Sequence, residues 1–114
     1  ELPPAKQIVN YEDFTKLDIR TATILEAEKV PKTKKLIKLK VDTGLDIRTV
    51  VSGIAEYFDP EQLPGKQVTL LANLAPRKIR GIESQGMILL AEDPSGKLIF
   101  ISPEDKLING AEIK

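Results

Sequence analysis

Three cations in four residues, Arg77, Lys78 and Arg80, stand between Pro76 and Gly81 in the stretch PRKIRGIESQG. Arginine carries a planar fork of donors that fits phosphate oxygens, and lysine adds a compact positive charge. The flanking proline and glycine imply a shaped turn or loop rather than a helix or strand. A second basic stretch comes earlier: Lys29, Lys32, Lys34, Lys35, Lys38 and Lys40 fall within twelve residues that contain no acid. Nine of the seventeen basic residues therefore occupy two short segments, while acids prevail over positions 92–112. The formal net charge is zero, yet a local basic patch steers a polyanion through its own potential. Lysines on an exposed strand also have a plainer use, which is to keep that edge from pairing with another chain.

Other chemistries fall away on the residues themselves. Gly81 and Gly86 have the spacing of a phosphate-binding loop, but Met87 and Ile88 follow where such a loop needs lysine and a hydroxyl residue. The pair is read as turn glycines. Asp42 and Asp46 bracket a turn without any calcium-loop pattern around them. Histidine and cysteine are both absent, which removes imidazole proton transfer, thiolate nucleophiles, disulfides and the common zinc sites. Carboxylates and lysines remain, but no pair stands out, so no catalytic activity and no cofactor are expected of this domain. Without cysteine nothing requires an oxidising compartment, and a cytoplasmic location is the default.

Single-stranded nucleic acid is usually gripped by aromatic rings interleaved with cations. Tyr11, Phe14, Tyr57, Phe58 and Phe100 are the only aromatics, and none lies in either basic stretch. Recognition of shape and backbone phosphate, as on a folded RNA, fits the sequence better.

The elements that would hold these residues are mainly strands. At 114 residues, with 41% hydrophobic and 30% charged residues, the chain suits one domain with a real core. No apolar run reaches the roughly 20 residues that span a bilayer. Asn10 is expected to cap a short helix over Tyr11–Phe14. Leu17–Val30 reads as a long strand rich in isoleucine and threonine, with helix as its competitor because alanine, leucine and glutamate are common in its second half. Lys35–Asp42 alternates, with Ile37, Leu39 and Val41 on one face, and turns at Thr43–Asp46 into a strand over Ile47–Val51. A short helix capped by Ser52 is expected at Ile54–Tyr57, and Asp59-Pro60-Glu61-Gln62 is a strong helix start. Lys66–Ala72 is a strand, and Met87–Ala91, uniformly apolar, suits a strand buried on both faces. Lys97–Ile101 is the last strand before a helical turn at Ser102–Asp105. Five or six strands with short helical turns point to a small, mostly antiparallel barrel.

The segments VSGIAEYFDPEQLPGK (Val51–Lys66) and ANLAPRKIRGIESQGMILLA (Ala72–Ala91) closely resemble the tRNA-binding domain found at the C-terminus of many methionyl-tRNA synthetases. The same module occurs as a free-standing structure-specific tRNA-binding protein and in the endothelial-monocyte-activating polypeptide. The resemblance covers residues 15–114. It implies an all-β, five-stranded oligonucleotide-binding (OB-fold) barrel with a C-terminal extension, which agrees with the independent strand count. It also implies tRNA as partner, bound by folded shape, and a homodimer. The family pattern falls on Asn73, Arg77, Lys78, Arg80, Ser84 and Gln85, expected as polar contacts to RNA, with Met87 as a packing neighbour. Lys32, Lys34, Lys35, Lys38 and Lys40 are expected to extend this surface. In the family a histidine, asparagine and aspartate often follow the first strand. Here the stretch is VPKTKKL (Val30–Leu36), so only Pro31, Lys35 and Leu36 match and those roles do not transfer.

The opening ELPPAK, with tandem prolines, reads as extended chain. Residues 1–10 are therefore expected to be linker and 11–114 the domain, appended to a synthetase's catalytic body upstream. A free-standing tRNA-binding protein and a chaperone-like protein-interaction module of the same fold are the alternatives.

Overall fold

The computed structural model describes residues 1–114. Residues 1–10 are exposed and carry no regular structure, and α1 (Tyr11–Thr15) follows. Asn10 stands at its N-cap in extended conformation, but its side chain makes no capping bond. The long strand β1 (Ile19–Lys29) pairs antiparallel with β2 (Ile37–Asp42) and with β4 (Gln67–Leu71), and β2 pairs with β3 (Ile47–Ser52). The main sheet has the order β3-β2-β1-β4-β7, where β7 is Met87–Ile88.

One strand serves both halves because β1 bends. Residues 19–23 face β4 and 23–29 face β2, and the register shifts between Ile24 and Glu26. Such a bulge adds local twist and lets a sheet curl on itself. The curl closes at the far edge, where Gln85 N–H donates to the Thr49 carbonyl at 2.9 Å. The result is a five-stranded barrel. Its core holds the inward set expected from alternation (Ile37, Leu39 and Val41), together with Ile24, Val50, Val68, Leu70 and Ile88. A 3₁₀ turn (Pro60–Gln62) starts where Asp59 Oδ1 accepts the Glu61 N–H at 3.0 Å, and it drives Leu63 fully into the core.

Several expected elements differ. Ile54–Tyr57 forms a single turn, with Phe58 N–H reaching the Ile54 carbonyl, and Ser52 ends β3 instead of capping a helix. Ser102–Asp105 bends without a helical turn. Met87–Ala91 is not one buried strand: it splits into β7 and β8 (Leu90–Glu92), and Met87 is 44% exposed. β7 stays with β4, whereas β8 leaves to form a hairpin with β9 (Leu98–Phe100). The C-terminal tail takes the free edge of β1: Thr21 N–H donates to the Ala111 carbonyl, Gly110 N–H to the Thr21 carbonyl and Ile113 N–H to the Ile19 carbonyl. Thr23 Oγ1 and Asn109 Oδ1, 2.6 Å apart, fasten it further.

Candidate nucleic-acid interface

The PRKIRG stretch is the turn and one strand of a hairpin, where a shaped turn or loop without strands was expected. β5 (Arg77–Ile79) pairs with β6 (Ile82–Ser84) in the register Arg77↔Ser84, Lys78↔Glu83, Ile79↔Ile82. The two-residue turn is Arg80-Gly81, with φ of 53° and 80°. Positive φ at both central positions marks the type I′ turn, whose twist matches that of the flanking strands. The sequence disguised it by using arginine where asparagine is usual.

Alternation then separates the cations. Arg77 and Ile79 line a cleft of about 320 Å³ whose other walls include Gly53, Ile54, Met87 and Leu98. Lys78 faces the other way, beside Glu83, and Arg80 caps the tip. Arg77, Lys78 and Arg80 are all exposed, and none has a carboxylate within 4.0 Å.

Three of the expected contact residues build this hairpin's footing. Ser84 is 5% exposed and its Oγ accepts the Val51 N–H at 3.0 Å. Gln85 runs alongside β3, its N–H on the Thr49 carbonyl and its Oε1 facing the Thr49 N–H at 3.5 Å. Asn73 holds the entry to the hairpin: Oδ1 accepts the Asp18 N–H at 2.9 Å and Nδ2 donates to the Lys16 carbonyl at 2.7 Å. Gly86 has φ of 111°, and a Cβ there would sit 2.8 Å from the Leu71 carbonyl oxygen. Arg48, which the sequence did not single out, joins the same frame. Its Nη1 donates to the Ala72 carbonyl at 2.5 Å while Nε pairs with Asp46 at 3.0 Å. The hydroxyl of Thr43 holds the Asp46 carboxyl below its ordinary value of 3.8; burial opposes it, and Arg48 adds to the lowering. The only earlier hint was an arginine two residues after an aspartate at a turn.

The lysine-rich stretch divides in two. Lys38 and Lys40 on β2 lie opposite Glu28 and Glu26 on β1, and Lys38 Nζ is 3.6 Å from Glu28. Lys38 is thus paired within the sheet, and Lys40 faces an opposite charge across the strands. Lys32, Lys34 and Lys35 sit in the β1–β2 loop, exposed and without ion-pair partners. Thr33 Oγ1 shapes that loop by accepting the N–H groups of Lys35 and Leu36. The Lys35 carbonyl takes the Ala55 N–H at 2.9 Å, which docks the loop on the turn that follows the cleft-lining residues Gly53 and Ile54. Arg77 is the one cation that lines the cleft itself.

Comparison with known proteins agrees with this geometry. The family model described as "Putative tRNA binding domain" matches residues 19–112. A methionine–tRNA ligase of Flavobacterium johnsoniae is 59% identical over 110 residues, covering 96% of this chain. The chain spans only 16% of that relative's length. Among solved structures, a MetRS-related protein from Pyrococcus horikoshii superposes with a TM-score of 0.90 at 40% identity, covering 96% of this chain and 100% of that one. The chaperone CsaA from Bacillus anthracis gives 0.86 at 30% identity, covering 95% and 100%. A barrel of this topology, an exposed basic hairpin and a family match over residues 19–112 leave one assignment: the chain belongs to the tRNA-binding domain family.

Proposed function

We propose that the chain binds folded tRNA by shape and phosphate contacts, and that it does so as an appended domain of a methionine–tRNA ligase acting in the cytoplasm. The observation that carries this reading is an anchored hairpin with three unpaired cations, Arg77, Lys78 and Arg80, of which Arg77 lines a cleft, while the unpaired loop lysines Lys32, Lys34 and Lys35 are joined through Lys35 to Ala55, next to the cleft residue Ile54. Rigid footing matters here: phosphates of a folded RNA hold fixed positions, and an anchored hairpin meets them with little ordering cost. Residues 1–10 serve as linker to a catalytic body upstream. Tethering turns the second contact to tRNA into an intramolecular one and raises overall affinity without new chemistry. Aminoacylation belongs to the upstream body. A gel-shift comparing folded tRNA, unfolded tRNA and single-stranded RNA of matched length tests the reading: preference for folded tRNA supports it, and equal binding of all three rejects it.

The domain also dimerises in this proposal. Leu107, 45% exposed, lines an apolar cleft of about 400 Å³ with Ile19, Leu89, Ile101 and Ile113, and its neighbour in sequence Ile108 is 77% exposed. Apolar surface of that kind marks an association site. Light scattering decides between a mass of 12.6 kDa and twice that. The resemblance to a chaperone supports a second reading, a module that binds unfolded peptide. Peptide binding that tRNA does not compete away would favour it.

A further inference from the structure

No aromatic lies in either basic stretch, but the fold gathers three aromatics with three other lysines. An open groove of about 700 Å³ is lined by Tyr57, Phe58, Lys66, Lys97, Phe100 and Lys106. These residues come from the turn after β3, the entry to β4, the β8–β9 hairpin and the tail beyond it. The Phe58 and Phe100 rings pack with centroids 4.6 Å apart and planes tilted by 37°, which fixes a rigid apolar floor. Tyr57 stands at the rim, 51% exposed. No acidic residue lines the groove, and none of the three lysines has a carboxylate within 4.0 Å. Leu98 lines both this groove and the cleft beneath Arg77, so the two sites adjoin.

We propose that this groove binds an unpaired nucleotide of a single-stranded RNA segment, its base against Tyr57 and the Phe58–Phe100 floor and its flanking phosphates on Lys66, Lys97 and Lys106. Every base has a π-face, so an exposed aromatic ring is a sequence-tolerant platform. Lysines without internal partners are free to replace the counterions of the RNA backbone. The volume falls in the range of about 300–1,000 Å³ typical of small-ligand sites, and the charge asymmetry favours a phosphodiester over a neutral peptide. The inference rests on the tRNA reading and deepens it: the Arg77 cleft meets phosphates of the folded body, and the groove takes an unpaired nucleotide of the same molecule.

The test is a titration of the chain with a mixed-sequence single-stranded RNA pentamer and, in parallel, with folded tRNA. Stacking of one base is worth about 1–3 kcal/mol, so Tyr57→Ala should weaken pentamer binding about 5- to 150-fold. Tyr57→Phe keeps the ring and should retain most of the affinity. The double variant Lys97→Gln/Lys106→Gln should reduce the slope of log affinity against log salt by about 1–2. Arg77→Ala/Arg80→Ala should weaken tRNA more than pentamer, and Tyr57→Ala the reverse. Unchanged pentamer affinity in folded Tyr57→Ala and in the lysine double variant would overturn the groove, as would absence of pentamer binding. If tRNA binding still drops in the arginine double variant, the tRNA reading survives that failure. Tyr57-dependent binding of an unfolded peptide that excludes the pentamer would overturn the groove in favour of a peptide.

Discussion

The Oγ of Ser84 accepts the N–H of Val51 at 3.0 Å in a site where both residues are buried, and this bond fastens the basic hairpin to the C-terminal end of β3. A serine expected as an RNA contact by its position in the motif serves as a strut within the fold. Ser84→Ala should leave a buried N–H without a partner, at a cost of about 1–3 kcal/mol. The expected drop in Tm, read by circular dichroism, is about 5–15 °C. A Tm within a degree of the parent would show that the strut carries nothing.

Arg77 faces the cleft with Ile79, whereas Lys78 shares the outer face with Glu83. Charge-assisted hydrogen bonds are worth about 1.5–3 kcal/mol, so Arg77→Ala should cut tRNA affinity about 10- to 100-fold. Lys78→Ala should cost less than about 5-fold, in line with exposed ion pairs of about 0–1 kcal/mol. Equal losses in a filter-binding assay would refute this division of the hairpin into two faces.

Phosphate contacts also set a salt response. Neutralising about 3–6 phosphates gives a slope of log affinity against log salt of roughly −2 to −5. Lys38→Ala and Lys40→Ala should leave that slope nearly unchanged, because Glu28 and Glu26 already oppose them across the strand pair. Lys34→Ala and Lys35→Ala should each make it shallower by nearly one unit. A flat response in the parent would remove phosphate from the account altogether.

Acid should loosen the turn that supports Arg48. The Asp46 carboxyl is held below 3.8 in the fold, first by the Thr43 hydroxyl and then by Arg48. A carboxyl depressed on folding stabilises the protein above its unfolded value and loses that contribution as pH falls through the folded value. Stability measured by urea unfolding should therefore decline below about pH 4, with Asp93, depressed first by the Ser95 hydroxyl, acting in the same direction. Asp46→Asn should flatten part of that decline, and an unaltered acid limb would exclude Asp46 from it.

How far the sequence revealed this molecule depended on whether local pattern or tertiary pairing decided each element. Strands β1 to β4 were legible because Ile37, Leu39 and Val41 alternate with polar residues and the turn at Thr43–Asp46 separates two clean runs. Met87–Ala91 misled because five apolar residues look alike, whereas the break after Ile88 is set by which partner, β4 or β9, each half finds. The basic cluster was legible as phosphate chemistry, but its hairpin was not, since Arg80 occupies a left-handed position usually given to asparagine or glycine. The lysine run looked free of acids only along the chain; Glu26 and Glu28 arrive beside it through β1. Tyr57 and Phe100 lie outside both basic stretches, and their platform becomes visible only when the fold sets them beside the scattered lysines Lys66, Lys97 and Lys106.

The strained turn offers a test in which stability and binding move apart. Arg80 holds φ of 53° ahead of Gly81, a backbone state that costs a non-glycine residue of order 1–2 kcal/mol. Asn-Gly is the preferred pair for this turn, so Arg80→Asn should raise stability by about 0.5–1 kcal/mol. The same change removes an unpaired cation from the hairpin tip and should weaken tRNA binding several-fold. An ordinary surface site would give no such opposition, because neither term would be present. A fall in both quantities would mean the hairpin does not hold Arg80 in the left-handed state. A gain in stability with unchanged affinity would keep the turn but take Arg80 out of the RNA interface.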